Sequence, residues 1–533
     1  VKPIPIIDQY PNRLETNSPR LRRRVSDRHP CIKSPFSLIR VATKVSTEIG
    51  LLFLFESQVF FFGPIMSKTG IQSIQSRPAF AVLLIGALAL SLSPSACVHA
   101  EDTVDLAVKF SKSEQCRVIA EVEHNGNVIV IPDDGSAGLK ALPLKVDGNL
   151  KYFQRVTSPT QAIRFFEIAK ADIELDKGKT APRLEQANRL IIARLKNRSN
   201  GRVEMASVRD TLRQEELELL QSPADPLSLP ELFTKSGLKV GQTWSPEDKV
   251  LAKFLNVESI KSSDVKLTLK KVEDNIARVF VSGAVVARVY DVTTEISVSG
   301  IALINLKSQQ IVNLKVGTDE VRPAGQIEPG FEGRTRIDLG FQHGKSTDEL
   351  SNQKLAASIR SKKIQQRLKF VSEAGAYKII YDPRWKLIAG EADSAIMRFI
   401  DKGDLLTQCN VVLLPKRPAK QPLTLAKFKQ EIGKAVDADK NAMLVKADET
   451  KTGNGHKALT VVVSGEEDGL PVNWFYYHVS TNEGRQITFV FTLAESVSGR
   501  AKGLADQLVN EFQFVEPTKQ VADKQTPPIV RKR

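Results

Sequence analysis

Four cysteines, four methionines, three tryptophans and six histidines are spread through 533 residues, and each scarcity closes off a class of chemistry. No Cys-x-x-Cys or His-Glu-x-x-His occurs, and no two histidines lie within four residues of each other. A sequence-local zinc site is therefore excluded, since such sites cluster their nitrogen and sulfur ligands at short spacing. No Gly-x-Ser-x-Gly elbow is present, so a serine hydrolase would have to assemble its groups from distant positions. No apolar run reaches the roughly 20 residues that a bilayer-spanning helix needs. No catalytic residue, metal ligand or cofactor is expected from any local motif.

What is present is most distinctive at 66–100, which reads as a secretory signal peptide. Met66 is the first methionine, and a polar stretch carrying Lys68 and Arg77 follows it. An unbroken apolar run then extends from Ala79 to Leu92, and Pro94 breaks it. Val98-His99-Ala100 places small residues at −3 and −1 of a cleavage site, so cleavage is expected between Ala100 and Glu101. A run of about 14 residues suits a cleaved segment better than a membrane anchor. The expected mature chain is Glu101–Arg533, periplasmic or extracellular. Lipidation at Cys97 is the alternative, although Pro94 stands where a lipidation signal wants an aliphatic residue. Residues 1–65 hold Arg20-Leu-Arg-Arg-Arg24 and the interrupted apolar run Leu51–Phe62. They are expected to be spurious upstream sequence or a disordered leader, the other reading being a basic arm with a membrane hairpin.

The formal charge of +15 overstates the basic character. Residues 1–100 carry 12 Lys+Arg against 5 Asp+Glu, leaving 64 against 56 beyond them. Those charges alternate along strands rather than clustering, so a nucleic-acid surface is not expected. Beyond the signal segment two cysteines remain, Cys116 and Cys409. They could pair in an oxidising compartment, but two buried unpaired thiols are expected.

Period-2 alternation dominates 101–343. In Val265-Lys-Leu-Thr-Leu-Lys270 three aliphatics share one face, and Asp274-Asn275 turns the chain into Ile276–Val281. Glu295–Lys307 and Ile311–Val316 flank a Ser308-Gln309-Gln310 turn, and earlier strands are expected at Val104–Phe110, Cys116–Glu123, Asn127–Ile131, Leu150–Val156, Ala162–Ile168 and Arg189–Leu195. Helical signal is confined to Val208–Gln221 and a turn at Leu229–Thr234. Residues 344–373 are expected to form a polar linker between two independently folding domains. In 374–516 two helical stripes, Leu425/Phe428/Ile432/Val436 and Leu504/Leu508/Val509/Phe512, flank three strands at Ala458–Val463, Val472–Val479 and Gln486–Leu493. Residues 517–533 are expected to be a disordered tail. The fold class expected is α+β: an N-terminal curved antiparallel sheet, or half-barrel, with few helices, and a C-terminal antiparallel sheet flanked by helices.

Gly375-Ala-Tyr-Lys-Ile-Ile-Tyr-Asp-Pro-Arg-Trp385, with the helix and meander behind it, resembles the opening of the PsbP/Mog1/DcrB-like fold. That resemblance implies a non-catalytic binding or assembly module. The strand rhythm of 101–343 is similar to LolA/LolB-like proteins, and Val240-Gly-Gln-Thr-Trp244 resembles a turn of such secreted proteins. The similarity implies a curved sheet sheltering an apolar ligand; no ligand residue carries over.

Three motifs fail on spacing or context. Gly340-Phe-Gln-His-Gly344-Lys345-Ser346 has three residues between glycines where a phosphate loop needs four. Asp437-Ala-Asp439-Lys-Asn441 has Ala442 where a calcium loop needs Gly. Gly453-Asn-Gly455-His-Lys-Ala458 leads into a strand where a dinucleotide site needs a helix. His124, before a turn expected at Asn125-Gly126, should face solvent. His343 and His456 stand alone, and His478 is expected as a polar tip on a half-buried strand. Trp244, Trp385 and Trp474 are expected as core anchors. The function expected is an exported, non-enzymatic binding or assembly protein with no stable transmembrane anchor. Its partner would be an apolar or lipid ligand or a cell-envelope protein; the alternative is a secreted hydrolase with scattered catalytic groups.

Overall fold

A computed structural model describes residues 103–515, except 111–113, 131–137, 196–202, 291, 326, 360–365, 373–375, 420, 437–441 and 468. The cleavage position Ala100/Glu101, the signal segment, the leader, the tail and the Asp437–Asn441 motif lie outside the described residues.

Alternating sequence builds long strands, and these pair into a 13-stranded antiparallel sheet. Two meanders run outward from a central seam. One passes from Gln115–Val130 through Lys140–Ser158, Gln161–Leu175 and Leu190–Leu195 to Val203–Ser207. The other passes from Gly330–His343 through Gln310–Arg322, Val292–Asn305, Ile276–Val289 and Lys266–Glu273 to Thr243–Trp244. The seam pairs Gln115–Val130 with Gly330–His343, register Val122 to Ile337, across some 200 residues of sequence. Asp274 and Asn275 both adopt positive φ, at 48° and 61°, the backbone a two-residue hairpin needs.

The inner face of this sheet is apolar and covered by the chain itself. Leu217 and Leu220, Leu229, Leu232 and Phe233, and Leu251 and Phe254, from three short helices between residues 214 and 255, pack into the same cluster as Val118, Ala120, Val279 and Leu314. An ion pair fixes this cover to the sheet: Arg164 of Gln161–Leu175 reaches Asp225, whose carboxylate also caps the turn at Leu227 at 2.9 Å.

The second region forms a seven-stranded antiparallel sheet in the order Trp385–Gly390, Ser394–Asp401, Asp404–Leu414, Gln486–Ala494, Leu470–Ser480, Lys457–Glu467, Met443–Lys451. Phe428 and Ile432 of helix Leu425–Val436 pack on one face, against Trp474 and Tyr476. A three-stranded sheet joins Leu368–Val371, Tyr377–Tyr381 and Phe512–Phe514.

The expected α+β class is therefore corrected. The described chain is mostly β, its large sheets are open, and helices are minor elements. Two sequence stripes that look helical yield only short helices. Val208–Gln221 gives Gln214–Leu220, and the last stripe stops at Asn510 because Phe512 pairs as a strand with Ile379. Nor is there a turn at Asn125-Gly126, since both residues lie inside one unbroken strand.

The segment 344–373 carries apolar residues into packing. Leu350 and Leu355 join Ile163, Leu190 and Ile192 in a small cluster, and Leu368 and Phe370 enter the main core. That core runs on through Tyr377, Trp385, Phe399 and Phe491. Polar contacts also join the two regions. The Gln214 amide accepts from Leu387 N at 2.7 Å, and the Lys369 amide donates to Leu212 O at 2.8 Å. The Lys386 ammonium pairs with Glu328 and lies 4.9 Å from the centre of the Tyr290 ring. Among the described residues, no helix is long and apolar enough to cross a membrane.

Candidate functional site

The solvent face of the large sheet carries a groove of about 610 Å³ across four neighbouring strands: Val292–Asn305, Gln310–Arg322, Gly330–His343 and Gln115–Val130. This size lies within the range of small-molecule sites, ~300–1,000 Å³. Strand alternation fixes its lining, because every second side chain points outward. Ser299 stands opposite Gly317, Gly317 opposite Arg336, and Arg336 opposite Glu123. In the next row Ile301, Lys315, Asp338 and Glu121 face one another in turn.

Gly317 makes the depression. A Cβ at this position would meet Ser299 Oγ at 3.6 Å and the Thr335 and Ser299 carbonyls at 3.9 and 4.0 Å, all ordinary contacts, so the floor is open for want of a side chain and not because neighbours forbid one. The walls are charged and partly neutralised across strands. Arg334 grips Asp319 through two bonds, at 2.7 and 3.0 Å, and this holds the Asp319 carboxyl below its ordinary range. Lys315 pairs with Asp338 at 2.6 Å, which raises the lysine, and Asn313 donates to the same carboxylate at 2.9 Å. Among the described residues, the ion pair of Arg336 is a loose one, with Glu123 at 4.0 Å. Among the described residues, Glu121 has no ion-pair partner.

The residues that stand out in the sequence are scattered. His124 is half-buried in mid-strand, correcting its expected solvent position; its Nδ1 meets Thr335 Oγ1 at 2.7 Å, and burial lowers its pKa. His343 Nε2 contacts the Ile311 carbonyl at 2.7 Å, and His456 packs edge-on to Phe514, its pKa lowered by burial. His478 is fully buried against Phe428, and neither ring nitrogen has a hydrogen-bond partner among the described residues. Cys116 and Cys409 are free and buried, and burial pushes the Cys116 thiol up to about 12. Trp385 and Trp474 are buried, whereas Trp244 is half-buried. Gly340 to His343 belong to a strand and form no phosphate loop. Among the described residues, no three His, Cys, Asp or Glu side chains converge as a metal site. The groove itself was missed by sequence reasoning. Its charges alternate like those of any wet strand face, and only the long-range register brings them together.

No family model and no curated protein matches the chain. Among solved structures, part of the chain is similar to cyanobacterial PsbP (CyanoP) from Synechocystis sp. PCC 6803. The identity is 18% over 28% of this chain and 92% of that one, with a TM-score of 0.23. Lipovitellin is similar over 46% of this chain and 27% of its own, at 10% identity and a TM-score of 0.26. The immunity protein TplEi from Pseudomonas aeruginosa is similar over 40% of this chain and 72% of its own, at 11% identity and a TM-score of 0.20. These likenesses concern fold alone.

Proposed function

We propose that the protein is an exported, non-enzymatic binding or assembly module that takes a small polar ligand in the groove over Gly317. Export rests on the apolar run Ala79–Leu92 and the Val98-His99-Ala100 site behind it. Binding rests on one observation, a groove whose outward charges are only partly neutralised by their neighbours. An apolar or lipid ligand on a LolA/LolB-like inner face would have to displace Leu217, Leu229, Phe233 and Phe254 from a packed core. The outer groove requires no such rearrangement. Its carboxylates lie among cross-strand cations, an arrangement suited to orienting a ligand.

A thermal-shift screen of small polar metabolites tests this reading, because a ligand that binds only the folded state raises the melting temperature. Compounds that stabilise the protein but not a Glu121→Gln/Arg336→Gln variant support it. Stabilisation that is equal in both proteins, or absent throughout, contradicts it.

A further inference from the structure

We infer that the groove selects a small carboxylated polyol, with the carboxylate seated over Gly317 and the hydroxyls directed at Glu121 and Glu123. This deepens the binding reading above and rests on it. Three donors surround the empty floor. Ser299 is the register partner on one side, its Oγ 3.6 Å from where a Gly317 Cβ would stand, and Arg336 is the register partner on the other. The Lys315 ammonium stands two residues along the same strand as Gly317, on the same face. Among the described residues the Ser299 hydroxyl makes no hydrogen bond, and Arg336 spends only a 4.0 Å contact on Glu123. Lys315 gives one bond to Asp338 and keeps other donors, since an ammonium has three.

The nearest acids are each paired with a cation, which offsets their charge. Asp319 is held by Arg334, and Asp338 by Lys315 and Asn313. Two further carboxylates lie on the far strand of the seam, Glu121 with no ion-pair partner among the described residues and Glu123 with only the long Arg336 contact. Glu121 and Glu123 are two strand spacings from Gly317, about 10 Å. An extended six-carbon chain is shorter than that, and the hydrogen bonds at its two ends close the gap, placing its acid among donors and its hydroxyls among acceptors. A neutral sugar leaves the guanidinium unmatched, and acetate is too short to reach the acids. The groove's about 610 Å³ accommodates such a molecule entire.

The experiment is calorimetric titration of the purified protein with gluconate, with glucose and acetate as comparisons. Gluconate should bind and the other two should bind at least about tenfold more weakly, the discrimination expected of one charge-assisted hydrogen-bond set. Gly317→Val fills the floor with a residue that strands accept, and it should weaken gluconate about tenfold or more while the melting temperature is kept. Arg336→Gln should do the same. Gluconate binding unchanged in both variants overturns the inference. So does a groove that binds other compounds in the thermal screen but not gluconate, an outcome that leaves the binding function standing and rejects only this ligand class.

Discussion

Arg164 and Asp225 form a two-pronged ion pair, at 2.7 and 2.8 Å, beneath the large sheet, with 1% and 6% of their surfaces exposed. Gln154 accepts a further bond from the guanidinium at 2.9 Å, and the Tyr152 ring lies 5.2 Å below it. The pair ties a strand to the helical cover, so it sets where the inner face closes.

Removing one partner strands a buried charge. Asp225→Asn and Arg164→Met should each lower stability by about 3–5 kcal/mol. The double change Arg164→Met/Asp225→Leu should cost less than the sum of the single changes. Urea unfolding of the four proteins measures this, and additive losses would show that the two charges do not act as a pair.

His478 makes stability depend on pH. Burial, with Arg417 and Lys457 nearby, lowers its pKa from 6.5 to about 4. The unfolded chain therefore binds this proton more readily than the folded one, and stability falls as pH drops from about 6.5 toward 4. The loss amounts to roughly 3 kcal/mol across that window. His478→Leu also removes a ring whose nitrogens have no hydrogen-bond partners among the described residues. Denaturation midpoints between pH 7 and 4 should fall less steeply for this variant, and parallel curves would assign the effect elsewhere.

The seam between the two regions predicts joint unfolding. Lys386 with Glu328 and Tyr290, Gln214 with Leu387, and a continuous apolar cluster link them. Calorimetry should show one transition, and Lys386→Met should lower its midpoint without splitting it. Two resolved transitions in the unsubstituted protein would instead favour the independent folding expected from the polar composition of 344–373.

Legibility in the sequence followed the range of the interaction. Local signals came through: alternation at Leu267 and Leu269 marked a strand, and Asp274-Asn275 marked its hairpin. Asn125-Gly126 looked like a turn, but the glycine serves a close approach, since a Cβ there would sit 2.5 Å from Gly333 Cα. A turn signal and a crowding signal use the same residue. Strand Gly330–His343 went unseen because Gly330, Gly333 and Gly340 interrupt it, although Thr335, Ile337, Leu339 and Phe341 alternate inward. The groove needed that strand's register with Gln115–Val130, which no local pattern encodes.

Native mass spectrometry of the protein isolated from the extracytoplasmic fraction of its own cell tests the exported, ligand-binding role most directly. The expected result is a chain beginning at Glu101 that carries a small non-covalent adduct, with the adduct lost in Gly317→Val. A chain retaining residues 1–65, or one whose adduct persists unchanged in Gly317→Val, would contradict it.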